Sequence, residues 1–211
     1  MNYLYPIFLN LESKKCLVVG GGEVAERKVK GLLESKADVT VISPDISEYT
    51  ANLAKENRII YKKRSYKKGD LKGFFLVIGA TDSSEINELI SIETKEMGIL
   101  CNIVDSPHFC NFFVPSVVSS GDLKIAVSTN GKSPALAKKI RKELENIYGG
   151  EYALFLDYLG KIREKLLKMK NINDKKRKEI FENIVNSNAI FYLKNGDQEK
   201  FKEEIEKWIL Y

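Results

Sequence analysis

The chain has 211 residues, of which 44% are hydrophobic and 30% are charged. This balance excludes a disordered or fibrous protein, and no apolar run reaches the roughly 18 residues that a membrane-spanning helix needs. The length suits one ordinary domain with a smaller appendage.

Charge and cysteine content narrow the partners and the compartment. The net charge is +5, from 34 basic and 29 acidic residues. This excess is too small to predict a nucleic-acid partner and suits an anionic small molecule equally well. The three cysteines are few and odd in number, so no disulfide framework is expected. The first residues also lack the basic start and long apolar stretch of a secretory signal. We therefore expect a cytoplasmic protein that binds neither nucleic acid nor membrane.

Short apolar runs alternate with helical patterns in the first half of the chain. The runs, rich in β-branched and aromatic residues, are 16–19, 39–42, 74–78 and 99–104. The clearest helical patterns lie at 23–35 and 84–97. Such runs are typical of strands buried on both faces, so the alternation predicts an α/β fold with a doubly wound parallel sheet. The carboxyl ends of its strands then meet at one edge, where ligands bind.

The second half of the chain changes character. Alternating residues at 122–129 predict a further strand, and Ser133 followed by Pro134 predicts a helix start with serine as its cap. The apolar stripe of that helix is Leu136, Ile140, Leu144 and Ile147. Beyond Gly149-Gly150 the chain has no proline, and apolar residues recur at helical spacing. We predict a helical C-terminal part whose stripes form ordinary core, packed on the sheet domain or on a second subunit.

A glycine-rich turn follows the first predicted strand. It has the spacing Gly20-x-Gly22-x-x-Ala25, between a strand and a helix. In that context Gly20 permits the turn, Gly22 lets backbone N–H groups reach a pyrophosphate, and Ala25 keeps the helix close to the sheet. The helix dipole then favours the phosphates. The pattern predicts a dinucleotide site, and a purely structural turn is the alternative.

The end of the second strand bears on which dinucleotide binds. An NAD site usually has an acid there for the ribose hydroxyls, but the chain has Ser43, followed by Pro44 and Asp45. Asp45 is able to substitute from the loop. Residues 43–47 contain no Arg or Lys to hold a 2′-phosphate, so we favour NAD over NADP.

Two further strand ends contribute candidate residues. The run at 74–78 leads into Gly79-Ala80-Thr81-Asp82, whose small Ala80 and Thr81 leave room for a cofactor. Asp82 or Ser83 is alternatively a helix cap. The run at 99–104 delivers Asp105 to the binding edge of the sheet, although a lone aspartate after a strand is more often a cap or turn residue.

A metal site is the weaker reading of the residues near Asp105. Cys101, Asp105, His108 and Cys110 lie close together in the sequence, but their spacing matches no closed zinc pattern. Cys101 also falls within a predicted core strand. We therefore predict no metal ligands.

Five motifs, taken in their order along the chain, resemble those of a known family. They are Gly20–Lys28, Ala80–Asp82, Cys101–Asp105, Phe113–Ser116 and Ser133–Ala137. Together they resemble precorrin-2 dehydrogenase, the N-terminal module of siroheme synthase, some members of which are also sirohydrochlorin ferrochelatases. The resemblance covers about residues 1–150.

This resemblance implies a fold and an activity. Members of the family are oxidoreductases that oxidise precorrin-2, a tetrapyrrole, to sirohydrochlorin with NAD⁺. Bifunctional members then insert Fe²⁺ into sirohydrochlorin, which is a lyase activity. Co²⁺ is the other candidate metal substrate. It implies a homodimer with a Rossmann-type NAD-binding domain at 1–113, a dimerisation segment at 114–149 and a helical domain at 150–211.

The resemblance also assigns roles to residues. Asp105 matches the family's catalytic aspartate, and the NAD contacts fall on Gly22, Glu23, Val24, Pro44 and Asp45. A base beside the nicotinamide agrees with this role for Asp105, because dehydrogenation releases a proton.

A loop before the Ser-Pro helix is the candidate substrate site. Precorrin-2 carries many carboxylates, and this loop offers N–H groups, hydroxyls and a cation at a helix N-terminus. Its candidate residues are Ser128, Thr129, Asn130, Lys132 and Ser133.

Two other functions remain open. The chain is alternatively a non-catalytic NAD-binding or sensing module, or an NAD-dependent dehydrogenase of another acidic metabolite. The motifs outside the glycine turn favour the precorrin-2 enzyme.

Overall fold

The computed structural model describes residues 4–169 and 172–209. The chain divides into two compact units, Met1–Val114 and Pro115–Tyr211. Among the described residues, none of the helices combines the length and the hydropathy needed to cross a bilayer.

The first unit is a five-stranded parallel sheet with helices on both faces. Its strands are β1 (Lys15–Val19), β2 (Asp38–Ser43), β3 (Ile60–Lys63), β4 (Leu76–Gly79) and β5 (Leu100–Ile103). The helices between them are α1 (Glu23–Glu34), α2 (Glu48–Lys55) and α3 (Ser84–Met97). The strand order is β3-β2-β1-β4-β5, which confirms the predicted doubly wound sheet.

The register brings the strand ends to one edge. Val19 lies opposite both Ile42 and Gly79, and Gly79 lies opposite Ile103. The residues of β1 from Cys16 to Val19 are at most 2% exposed, as expected for a central strand covered on both faces. The turns that follow β1, β2, β4 and β5 therefore share one rim.

The sequence prediction missed β3 and α2. β3 is an edge strand whose Ile60, Lys62 and Lys63 are exposed, so it has no continuous apolar run to reveal it. α2 spans only two turns, with Thr50 and Leu53 as its buried residues, which is too short for a clear helical period.

The second unit combines a hairpin with five helices in the described part of the chain. The hairpin consists of β6 (Ser116–Ser120) and β7 (Leu123–Val127), which pair antiparallel. The helices are α4 (Pro134–Ile147), α5 (Gly150–Lys168), α6 (Asp174–Val185), α7 (Ala189–Lys194) and α8 (Gln198–Ile209). Strand β7 and the helical tail were predicted, and β6 was not.

Two predictions for α4 have different outcomes. Ser133 caps the helix as predicted, because its hydroxyl accepts a hydrogen bond from the Leu136 N–H at 3.2 Å. Core packing of the α4 stripe is wrong at its two ends, because Leu136 is 49% and Ile147 50% exposed. Ile140 and Leu144 are partly buried, and Ala137 is the one fully buried residue of the helix. By contrast, Phe155, Leu166, Ile184 and Phe201 from the later helices form a buried core.

Candidate functional site

A cleft of about 500 Å³ opens at the carboxyl edge of the five-stranded sheet. It is lined by the turn after β1, the ends of β2 and β4, and the segment after β3. All the residues proposed from sequence as cofactor contacts line it: Gly20, Gly22, Glu23, Val24, Pro44, Asp45, Ala80 and Thr81. The cleft is the size of a small-molecule site.

The glycine turn is held by close backbone approaches. Gly20 has a φ of 121°, and a Cβ there would lie 2.1 Å from the Ala80 carbonyl oxygen. A Cβ on Gly21 would lie 1.9 Å from the Asp45 carbonyl oxygen, whereas one on Gly22 meets nothing within 4 Å. Only glycine therefore fits at the first two positions, and the third faces open space.

The start of α1 provides N–H groups at this open position. Gly22 is the N-cap residue and supplies no side-chain acceptor to the first turn, so the first N–H groups lack a capping partner. Ala25 is 2% exposed and packs against the sheet. Free N–H groups at a helix N-terminus suit an anionic phosphate.

The turn after β2 is fixed by hydrogen bonds to its carbonyl groups. The Ser43 hydroxyl donates to the Asp45 carbonyl at 2.6 Å, and the Tyr61 hydroxyl donates to the Ser43 and Pro44 carbonyls, each at 3.1 Å. Burial and the nearby Asp45 charge raise the pKa of Tyr61, which keeps the phenol protonated as the donor. Asp45 thus lines the cleft on a rigid turn.

The end of β4 is held by Asn87 of α3. The Thr81 hydroxyl donates to the Asn87 side-chain oxygen at 2.9 Å, and the Asn87 amide donates to the Thr81 carbonyl at 3.0 Å. The Thr81 hydroxyl proton is therefore engaged within the protein. Of the two predicted caps for α3, Ser83 is the one that accepts a helical N–H, from Ile86 at 3.3 Å.

Asp105 follows β5 and does not line this cleft. It is exposed, and its φ of 57° lies in the left-handed region that aspartate tolerates better than most residues. A short 3₁₀ helix at Pro107–Phe109 comes next. The carboxylate therefore lies at the predicted edge of the sheet, beyond the part of the cleft that the cofactor candidates form.

The segment after Asp105 is tied back onto β5. The Cys110 sulfur accepts the Ile103 N–H at 3.2 Å. The Asn111 side chain accepts the Cys101 N–H at 2.7 Å and donates to the Ile99 carbonyl at 2.9 Å. Cys110 thus supports the loop, and the described residues contain no group of three His, Cys, Asp or Glu arranged to hold a metal ion.

Lys28 is a neighbour of Asp105 to which sequence analysis gave no role of its own. It is half-buried on α1 and has no ion pair among the described residues. Burial lowers its pKa, the charge of Arg27 lowers it further, and the charge of Asp105 acts in the opposite direction. Nothing in its spacing distinguishes this lysine from the other basic residues of α1.

The proposed substrate loop lies in the second unit. Its hydroxyls maintain the loop: Thr129 Oγ1 accepts the Ser133 N–H at 3.1 Å, and Ser128 Oγ accepts the Asn130 N–H at 3.1 Å. Lys132 is exposed, and Asn130 has a left-handed φ of 56°. The loop is therefore preformed, with its cation facing solvent.

One wall of the cleft was not predicted from the sequence. Ser65 and Tyr66 line it from the segment that follows β3. Because β3 itself carries no clear pattern, no sequence signal indicated that this segment reaches the cleft.

Comparison with known families identifies the class of protein. Residues 7–116 match the family model described as putative NAD(P)-binding, and residues 120–147 match the model described as the central part of a sirohaem biosynthesis protein. The chain belongs to the putative NAD(P)-binding family, which confirms the prediction of a nucleotide-binding fold for a nicotinamide cofactor.

Individual relatives are more specific. The chain is 39% identical to the siroheme synthase of Ruthia magnifica subsp. Calyptogena magnifica over 83% of its own length and 37% of the relative. It is 34% identical to the siroheme synthase of Nitrosococcus oceani over 98% of its own length and 44% of the relative. The chain thus spans about two fifths of the length of these curated relatives.

A solved structure matches the full fold. It is "SirC, precorrin-2 dehydrogenase", with a TM-score of 0.82 and 28% identity over 97% of this chain and 100% of that chain. The comparisons confirm the predicted resemblance to the precorrin-2 dehydrogenase family.

Proposed function

We propose that this protein oxidises precorrin-2 to sirohydrochlorin with NAD⁺ in siroheme biosynthesis. The observation that carries the proposal is the likeness to a precorrin-2 dehydrogenase over essentially the whole of both chains. The position of Asp105 after β5, at the same edge of the sheet as the cofactor cleft, supports it.

Different residues of the cleft and of the adjacent sheet edge serve the separate steps of a hydride transfer. When bound, NAD⁺ supplies the hydride acceptor. The first-turn N–H groups of α1 would hold the pyrophosphate, and Gly22 would leave room for it to approach. Asp105 accepts the proton released from the substrate, since its exposed carboxylate is accessible to a ligand at this edge.

NAD is the preferred cofactor in this proposal. Asp45 lines the cleft on the rigid turn after β2, where a carboxylate accepts hydrogen bonds from the ribose hydroxyls. The same carboxylate would repel a 2′-phosphate. The basic residues Lys62 and Lys63 lie nearby in register with Ile42 and Ser43 but do not line the cleft, so a direct comparison of NAD⁺ with NADP⁺ decides the point.

The loop at 128–133 is the proposed receptor for substrate carboxylates. Its internal hydrogen bonds hold it in one shape, so the loop loses little conformational entropy when a ligand binds. Lys132 supplies the exposed positive charge. Ser128, Thr129, Asn130 and Ser133 shape the loop around it.

Three further proposals concern the whole protein. The half-exposed Leu136 and Ile147 on α4 support a homodimer. The free state of Cys16, Cys101 and Cys110 supports a reducing, cytoplasmic compartment. The family resemblance supports a second activity, insertion of Fe²⁺ or Co²⁺ as a substrate metal into sirohydrochlorin.

The decisive experiment is anaerobic incubation with precorrin-2 and either NAD⁺ or NADP⁺. Formation of NADH together with the sirohydrochlorin spectrum is the expected result, with little reduction of NADP⁺. Addition of Fe²⁺ or Co²⁺ then tests chelatase activity through the siroheme or cobalt-product spectrum. Tight binding of NAD⁺ without any NADH would contradict the proposal and favour a sensing module.

The role of Asp105 is tested by Asp105→Asn. Asparagine also tolerates the left-handed backbone of this position, so the change removes the base while preserving the loop. We expect turnover to fall by at least ~10²-fold, the scale of general-base catalysis, with NAD⁺ affinity unchanged in calorimetry.

A matched control is Asp38→Asn, at the amino end of β2 on the opposite edge of the sheet. It removes the same charge from an exposed position and should leave turnover unchanged. Near-normal turnover of Asp105→Asn would reject its role as the base.

A further inference from the structure

The segment between β3 and β4 supplies a wall of the cofactor cleft. Ser65 and Tyr66 line the cleft together with Ile42 at the end of β2 and Ile86 in the first turn of α3. Ser65 is exposed, whereas Tyr66 is 7% exposed. Tyr66 therefore forms part of the floor of the cleft, and Ser65 forms part of its rim.

A buried carboxylate holds this wall. Glu93 on α3 is 2% exposed. One of its oxygens accepts a short hydrogen bond from the Tyr66 hydroxyl, and the other accepts the Gly69 N–H at 2.8 Å. Both partners belong to the segment after β3, so one side chain fixes that segment at two points.

The Glu93 contact makes Tyr66 a permanent donor. Burial and the hydrogen bond to Glu93 raise the pKa of Tyr66, which keeps its hydroxyl protonated. No ion pair neutralises Glu93 among the described residues. A polar group buried without partners is costly, and the two hydrogen bonds that position the wall give each oxygen of Glu93 a partner.

The position of the wall indicates which part of a dinucleotide it meets. In a doubly wound sheet the end of β2 holds the adenosine ribose, and the pyrophosphate lies on the turn after β1. β3 lies beyond β2, on the side away from β1. The Tyr61 hydroxyl of β3 donates to the Ser43 and Pro44 carbonyls in the turn after β2. The segment that follows β3 therefore borders the adenosine end of the site.

The surface chemistry of this end suits a flat base. The accessible apolar surface here comes from the partly buried Ile86 and from the small exposed part of Tyr66. Aromatic rings stack favourably with nucleobases. Neither the glycine turn nor Asp45 offers such a surface.

We propose that Ser65 and Tyr66 form the adenine-binding wall of the cofactor site, and that Glu93 is the positioning residue that holds it. This inference rests on the cofactor-binding part of the proposed function and is independent of the tetrapyrrole substrate. It assigns a binding role to a segment that carries no recognisable motif.

The test uses calorimetric titration of the full chain with NAD⁺ and with ADP-ribose, which lacks nicotinamide. Glu93→Gln removes one acceptor of the pair, and Tyr66→Phe removes the donor while keeping the ring. Each substitution should lower the affinity for NAD⁺ and for ADP-ribose by the same factor, about fivefold. Ser65→Trp places a bulky ring on the exposed rim and should weaken both ligands by at least ~10-fold through steric exclusion.

Turnover separates positioning from general damage. We expect the KM for NAD⁺ to rise in Glu93→Gln and Tyr66→Phe while kcat at saturating NAD⁺ stays near the wild-type value. The matched control is Glu96→Gln, an exposed carboxylate one turn further along α3, which should change neither quantity.

Three outcomes would overturn the inference. Unchanged affinity in Ser65→Trp would remove the wall from the site, and this exposed substitution is informative even if Glu93→Gln fails to fold. Loss of NAD⁺ affinity with normal ADP-ribose affinity would move the wall to the nicotinamide end. Lower thermal stability with normal affinity would reduce Glu93 to a structural role. If the wild-type protein binds NAD⁺ but does not oxidise precorrin-2, only the proposed function fails.

Discussion

At the scale of single residues, the three glycines after β1 are not equivalent. A side chain at Gly21 would collide with the Asp45 carbonyl, whereas one at Gly22 would enter open space where we expect the pyrophosphate. Gly22 is also the N-cap of α1, with an ordinary extended backbone. The same position therefore affects folding and binding in different ways.

Gly22→Asp should separate these two effects. Aspartate is a good N-cap and its charge favours the helix dipole, so the free energy of unfolding should rise by a few tenths of a kcal/mol. The same charge should repel the pyrophosphate and weaken NAD⁺ binding by roughly tenfold or more. Thermal melting and calorimetry measure the two quantities, with Gly22→Asn as the neutral control. Unchanged NAD⁺ affinity would make this turn merely structural.

The residue-level predictions from sequence succeeded where local spacing carries the information. The positive φ of Gly20 and the buried Ala25 follow from the strand-turn-helix pattern. The constraint on Gly21 comes from the Asp45 carbonyl, which is distant in sequence and has no local signature. Tyr66 and Glu93 were missed for the same reason, because 27 positions separate the two side chains that meet.

At the scale of elements, the segment after β3 has a second brace. Arg64 donates to both oxygens of Asp70 at 2.6 and 2.7 Å, and the Lys67 N–H donates to one of them at 2.9 Å. The Arg64 hydrogen bond is the main cause that lowers the pKa of Asp70 below its ordinary value of 3.8. A carboxyl with a lower pKa in the folded state stabilises the fold above its unfolded pKa and loses that effect as the pH falls.

Asp70→Asn should therefore destabilise the protein in a pH-dependent way. We expect the free energy of unfolding to fall by about 1 kcal/mol near neutral pH, because the pair is bidentate but only partly buried. The difference from wild type should shrink as the pH falls below about 4. Denaturant titrations at a series of pH values measure it, and Glu56→Gln, from the exposed 3.9 Å pair with Arg58, is the control. A difference that stays constant with pH would contradict the assignment.

Prediction of the elements depended on burial. The strands β1, β2, β4 and β5 are mostly buried and read as apolar runs, so their existence was predicted to within a few residues. β3 and β6 have exposed positions and small or polar residues, so the same criterion does not detect them. The cap at Ser133 was found because its chemistry is local.

At the scale of the whole molecule, α4 presents apolar side chains that its own chain leaves half exposed. Leu136 and Ile147 were expected in the core, because a helical stripe gives no information about which surface covers it. A second copy of the chain is the cover that we propose.

Leu136→Glu tests this arrangement. We expect the wild-type protein to be a dimer by light scattering, and the substitution to weaken the dimer at least ~10-fold, because a carboxylate would be buried without a partner. Lys138→Glu is the control, since residue 138 is exposed and lies on the far side of the helix from Leu136. A wild-type monomer at all concentrations would show that the homodimer is wrong.

The two edges of the five-stranded sheet also bear on association. At β5, Asn111 and Cys110 occupy outward backbone groups that an added strand would need, namely Ile99 O, Cys101 N and Ile103 N. At β3, Lys62 and Lys63 are exposed charges of the kind that discourage edge-to-edge pairing. The loop that carries Asp105 thus also blocks the addition of a strand at β5, so we do not expect this protein to associate by extending its sheet.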